Sequence, residues 1–155
     1  MPSGEDSLWL HKTLAELSEK PQYGINAKTS ESADGPKFLR ITDIVPDSID
    51  WRSVPHSDVS ADDLVKYRLQ PGDLVIARSG SVGYAKQISE SDPAAVFASY
   101  LVRFRALPAV DEDFLAAIVC SEGYRSWVLQ NATGVAQPNA NPQILGSFPI
   151  RVPPL

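Results

Sequence analysis

The segment from Leu69 to Lys86 narrows the choice of folds more than any other part of this chain. Pro71-Gly72 marks a turn, and Asp73 to Arg78 carries the apolar run Leu74-Val75-Ile76-Ala77 of a strand. Ser79-Gly80-Ser81 has no bulky apolar residue to bury, so the loop faces solvent, and Gly83 to Ser89 returns as a second strand. Gly80 and Gly83 can take positive φ and let a partner approach the backbone. A sheet built this way presents Arg78, Ser79, Ser81, Tyr84 and Lys86 at its rim; an ordinary hairpin tip is the plain alternative.

The flanking pattern supplies the rest of an α+β fold. Phe38 to Thr42 and Val96 to Arg105 read as further strands, rich in β-branched and aromatic residues. Ser60-Ala61-Asp62-Asp63 has the form of a capped helix start. Asp111 caps a helix running to Ser121, with Phe114, Leu115, Ile118 and Val119 at helical spacing. Gly123 separates it from a second helix, in which Tyr124, Trp127 and Val128 share a face. Leu10, Leu14 and Leu17 also stand at helical spacing. Asn141-Pro142 opens a short helix through Leu145, and Ser147 to Val152 returns as a strand. The expected class is α+β: a twisted, mostly antiparallel sheet core with a small helical patch.

At 155 residues, 43% of them hydrophobic, the chain suits one domain over 1–155 with one sizeable core. The single Cys120 excludes a disulfide framework, and its apolar neighbours imply a buried, reduced thiol. Met1 to Asp6 has neither a basic start nor an apolar stretch of export-signal length, and no later run is long enough to span a membrane. A soluble, cytoplasmic protein is expected. The net charge of −5 argues mildly against a stand-alone nucleic-acid binder. Acids, however, gather between Asp43 and Asp63, whereas Lys66, Arg68, Arg78, Lys86, Arg103 and Arg105 follow, so one face can be locally positive. Arg103 and Arg105 alternate within a strand and read as solvated charges.

Catalytic chemistry finds no support. No Glu-x-Lys pair exists for a metal-dependent nuclease, and His11 and His56 stand far apart without a Cys or His at ligand spacing. Asn141-Pro142-Gln143-Ile144 begins like the Asn-Pro-Pro-aromatic loop of adenine methyltransferases, but lacks the second proline and the aromatic. Neither Ser79 nor Ser81 has a base at motif spacing. The sequence calls for no catalytic residue, no metal and no cofactor.

Four blocks, Tyr23 to Lys28, Phe38 to Ile44, Leu69 to Lys86, and Gly134 to Asn139 running on to Phe148 to Leu155, together resemble a target recognition domain of type I restriction-modification specificity subunits. The resemblance spans nearly the whole chain. It implies a noncatalytic reader of one half of a bipartite double-stranded DNA sequence, partnered by methyltransferase and restriction subunits and by a second recognition domain. It also implies a long spacer helix beyond Leu155. The sequence stops there, as either a trimmed piece or a half-length specificity protein would. A recognition domain of a fused restriction-methyltransferase, or a protein-interaction module, are the alternatives.

Reading base edges needs forked or amide side chains. Gln137, Asn139, Asn141 and Gln143 supply amides in a polar loop, Asn141 being the weakest of them because helix capping explains it. Arg78 is the candidate for bidentate contact with guanine, against a structural ion pair. Lys28, Thr29 and Lys37 bracket a Ser-, Glu-, Ala- and Gly-rich stretch, where the lysines suit phosphates. Tyr84 packs either on the sugar-phosphate backbone or on the core, and Lys86 is a phosphate contact or a solvated charge. Ser79 and Ser81 complete the set.

Overall fold

The computed structural model describes residues 8–30, 34–134 and 136–154. Met1 to Asp6, Val135 and Leu155, on which parts of the sequence reading fell, lie outside them, as do residues 31–33 of the stretch between Lys28 and Lys37.

Three small sheets carry the described residues. β1 (Leu10–Thr13) pairs antiparallel with β10 (Pro149–Val152). A second sheet runs in the order β2 (Gln22–Tyr23), β9 (Leu101–Phe104), β6 (Leu74–Ala77), β7 (Ala85–Gln87), all antiparallel. The third has the order β3 (Lys28–Ser30), β5 (His56–Asp58), β4 (Lys37–Leu39), β8 (Ala95–Phe97), and only its β4–β8 pair is parallel. The helices are α1 (Ile41–Ile44), α2 (Ala61–Tyr67), α3 (Glu112–Val119), α4 (Glu122–Asn131) and α5 (Pro142–Gly146). The mixed, mostly antiparallel class expected from the sequence is what forms.

β6 is buried on both faces, which explains its unbroken apolar run. Leu74 and Ile76 enter a core with Val102, Phe104, Leu115, Tyr124 and Leu145. Val75 and Ala77, pointing the other way, enter a second core with Leu39, Ile44, Phe97 and Leu101. Each fully buried large aliphatic or Phe side chain contributes about 1.5–3 kcal/mol relative to exposure. The central strand is therefore clamped between two apolar layers.

Several local expectations change. Val96 to Arg105 is not one strand: the backbone turns at Ala98-Ser99-Tyr100, with Leu101 N donating to Ala98 O at 3.0 Å, and passes from the third sheet to the second. No Gly or Pro marks that elbow. The strand expected over Phe38 to Thr42 ends at Leu39. Asp43 accepts from Arg40 N at 2.8 Å and from its guanidinium at 3.1 and 3.0 Å, winding the chain into α1. The helical spacing of Leu10, Leu14 and Leu17 is overridden by β10, which holds Leu10 to Thr13 in a ladder and leaves Leu10 exposed. Ser121, not Gly123, divides the two helices: its Oγ accepts from Tyr124 N, and Gly123 sits inside α4. Cys120 follows the last turn of α3 as an exposed residue rather than a buried one, though partial burial of its thiol pushes the pKa up.

Arg103 and Arg105 are not solvated charges. Arg105 donates to both oxygens of buried Asp73, at 2.6 and 2.8 Å, and that bond raises its pKa against the opposing effect of burial. Arg103 donates to Gln22 and lies 5.6 Å from the Phe97 ring; burial, with repulsion from Arg105, lowers its pKa.

Candidate nucleic-acid interface

β6 delivers Arg78 to the rim. Beyond Ala77 the pairing with β9 continues, Arg78 N donating to Tyr100 O at 3.0 Å. Arg78 O then accepts from Ala140 N at 2.8 Å, and Ser79 bridges Asn139. Thr133 and Asn139 exchange two backbone bonds of 2.8 Å, closing the polar loop upon itself next to the Ser79 tip. Gly134 at φ +90° and Gly80 at φ +64° supply the left-handed turns in this pair of loops.

The two loops enclose a cleft of about 410 Å³ lined by Arg78, Ser79, Gly80, Tyr100, Gln137 and Asn139. Residues distant in sequence thus converge on one small surface. Arg78 donates from Nε to Ser99 O at 2.8 Å, and its guanidinium carbon lies 5.1 Å from the Tyr23 ring and 5.3 Å from the Tyr100 ring. It makes no ion pair among the described residues, which disposes of the structural-ion-pair alternative. A second cleft of about 480 Å³ shares Tyr100 with the first and adds Ser99, Asn26, Arg40, Thr42 and Ile41. Ser99 Oγ donates to Asn26 Oδ1 at 2.7 Å across that junction. Asp43 fixes Arg40 and raises its pKa through their hydrogen bond.

The remaining candidates are dispersed. Gln137, Asn139 and Gln143 are exposed, while Asn141 caps α5 by accepting from Ile144 N at 2.8 Å. Lys28 and Thr29 are exposed on edge strand β3, directly after Ala27 of the second cleft. Lys37 donates to Val54 O at 3.0 Å, and Lys86 to Asp47 O at 2.6 Å, so both ammonium groups already serve the chain's own carbonyls. Tyr84 packs against the second core with Arg125 4.3 Å above its ring. Ser81 is half-buried in the same loop.

The sequence reading passed over Tyr100, Asn26, Ser99 and Arg40 as site residues, and quoted Tyr23 only within a motif. Strand pairing brings Tyr23 and Tyr100 to Arg78, and Asn26 and Arg40 line the adjoining cleft. Among the described residues, no three His, Cys, Asp or Glu side chains cluster to hold a metal, and no helix is long and apolar enough to cross a membrane.

This chain matches no protein-family model and no curated protein sequence. Solved structures do share its architecture. It superposes with a TM-score of 0.64 on a type I restriction-modification system S subunit from M. genitalium, at 13% identity over 94% of this chain. It superposes with a TM-score of 0.65 on the HsdS subunit from Thermoanaerobacter tengcongensis, at 18% identity over 99%. The fold is one found in type I restriction-modification S subunits. A chain from a structural study of type I R-M complex assembly gives a TM-score of 0.66 at 18% identity over 100% of this chain. This S-subunit-like chain spans about a third of each of those longer chains, 34%, 34% and 35% respectively.

Proposed function

We propose that this chain is one noncatalytic recognition domain of a type I restriction-modification system, reading half of a bipartite double-stranded DNA sequence in the cytoplasm. Adenine methyltransferase and restriction subunits would do the bond chemistry and would supply phosphate contacts that a chain of net charge −5 lacks. The observation that carries the reading is the convergence of Arg78, Gln137 and Asn139 on one cleft: a guanidinium fork and two amides, the groups that distinguish guanine and adenine at their major-groove edges. The shared S-subunit fold supports it independently. Lys28 and Thr29 on the neighbouring edge strand suit backbone contact, which positions the domain without selecting bases. Lys37 and Lys86 would contribute charge from beside the chain's own carbonyls, and Gln143 an amide from α5.

The test is to co-express the chain with its host adenine methyltransferase subunit and map the modified adenines. One short motif recurring at every modified site is the expected result. A modification pattern identical with and without the chain refutes the proposal. In binding titrations, Arg78→Ala should lose about 1–3 kcal/mol at one base position, whereas Lys28→Ala weakens all duplexes alike and flattens the salt dependence.

A further inference from the structure

Arg78 stands out among the cleft side chains because its position is set before any ligand arrives. On the sheet, Tyr23 and Ile76 both lie opposite Val102. Side chains alternate along strands, so Arg78, two residues beyond Ile76, and Tyr100, two before Val102, share a face with Tyr23. Both rings come within cation–π reach of the guanidinium, at 5.1 and 5.3 Å, and Ser99 O holds Nε at 2.8 Å. The terminal Nη donors have no hydrogen bond among the described residues. Tyr23 and Tyr100 are 46% and 56% exposed, so neither ring is placed there to fill a core.

Resting on the DNA reading above, we propose that Tyr23 and Tyr100 are positioning residues that hold Arg78 as a pre-set fork for a single guanine. A guanidinium is planar, and holding its Nε fixes the direction in which the two outer donors point toward the O6 and N7 acceptors of a guanine. An unbraced arginine would have to give up its rotamer freedom on binding. A phosphate site would gather further cations, whereas Arg78 is the only Lys or Arg among the described residues lining this cleft, where the polar side chains beside it are the Gln137 and Asn139 amides and the Ser79 and Tyr100 hydroxyls. The bracing converts a flexible charge into a base-selective one.

The experiment incubates the chain, assembled with its host adenine methyltransferase subunit, with duplexes carrying a randomised central core and sequences the bound fraction. Wild type should enrich a motif containing an invariant G·C pair, and Arg78→Ala should lose preference at that pair alone. Tyr23→Leu and Tyr100→Leu should each lower preference at the same pair about twofold to fivefold, whereas Tyr23→Phe and Tyr100→Phe keep it. If wild type enriches no motif, the DNA reading falls and this inference with it. If Arg78 fixes a guanine that the leucine variants leave untouched, the bracing alone is overturned. A measurement without variants gives a further check. By NMR in the free chain, proton exchange at Arg78 Nε should be slower than at Arg52, whose side chain is 96% exposed. Equal rates overturn the bracing.

Discussion

Arg105→Ala should cost this fold more than Asp73→Asn, because the two substitutions strand different partners. The Asp73 side chain is 1% exposed and accepts three bonds, from Arg105 at 2.6 and 2.8 Å and from Gln70 N at 2.7 Å. Removing Arg105 leaves a buried carboxylate with one backbone donor, the situation that costs about 3–5 kcal/mol in broken buried pairs. Asp73→Asn instead strands a guanidinium whose side chain is 26% exposed and can recruit water, so about 2–3 kcal/mol is expected. Urea unfolding of both variants, with unchanged denaturant slopes, reads the difference. A loss under about 1 kcal/mol for Arg105→Ala, or a larger loss for Asp73→Asn, would refute the argument.

Asn141→Ala removes the cap on α5 and should lower stability by about 0.5–2 kcal/mol in thermal unfolding; unchanged stability would mean the Ile144 bond contributes nothing. Tyr124→Phe orphans Leu145 O, which the buried hydroxyl reaches at 2.7 Å, and should cost about 1–2 kcal/mol. Burial also pushes the Tyr124 pKa up, so the neutral form is favoured in the fold. Its contribution is whole below the unfolded value of about 10 and is lost as pH rises beyond it. Alkaline unfolding midpoints should therefore fall less steeply in Tyr124→Phe than in wild type. Gly24→Ala places a Cβ 2.0 Å from Ala98 O and 2.5 Å from Phe97 O. That clash forces the junction between β2 and β8 apart, and a loss of at least about 2 kcal/mol in chemical denaturation is expected.

The turn at Pro71-Gly72, the β6–β7 hairpin that follows it and the capped helices were legible because their signals are local. Ser60, Asp111 and Asn141 each accept backbone bonds as caps within three residues of themselves. What escaped was set by partners far along the chain. β1 is a strand only because β10 lies beside it, and Leu10 carries no mark of that. The elbow at Ala98 to Tyr100 follows from Ala98 N bonding Leu39 O at 2.9 Å, which no period in the sequence announces. Arg78 and the amide loop were each readable as polar tips. Their shared cleft arises from the Ser79–Asn139 bridge, and the Tyr23 ring joins them only through the β2–β9 pairing.

The strand ending at Arg78 is locked from above and below, while the tips beyond it are tied to the body by a handful of backbone bonds. Such an arrangement separates what must stay still from what can vary. Exchanging residues 136–139 for those of another chain of this architecture should change the sequence that is chosen while leaving the melting temperature almost where it was. New specificities would then arise by rewriting loop tips on an unaltered chassis.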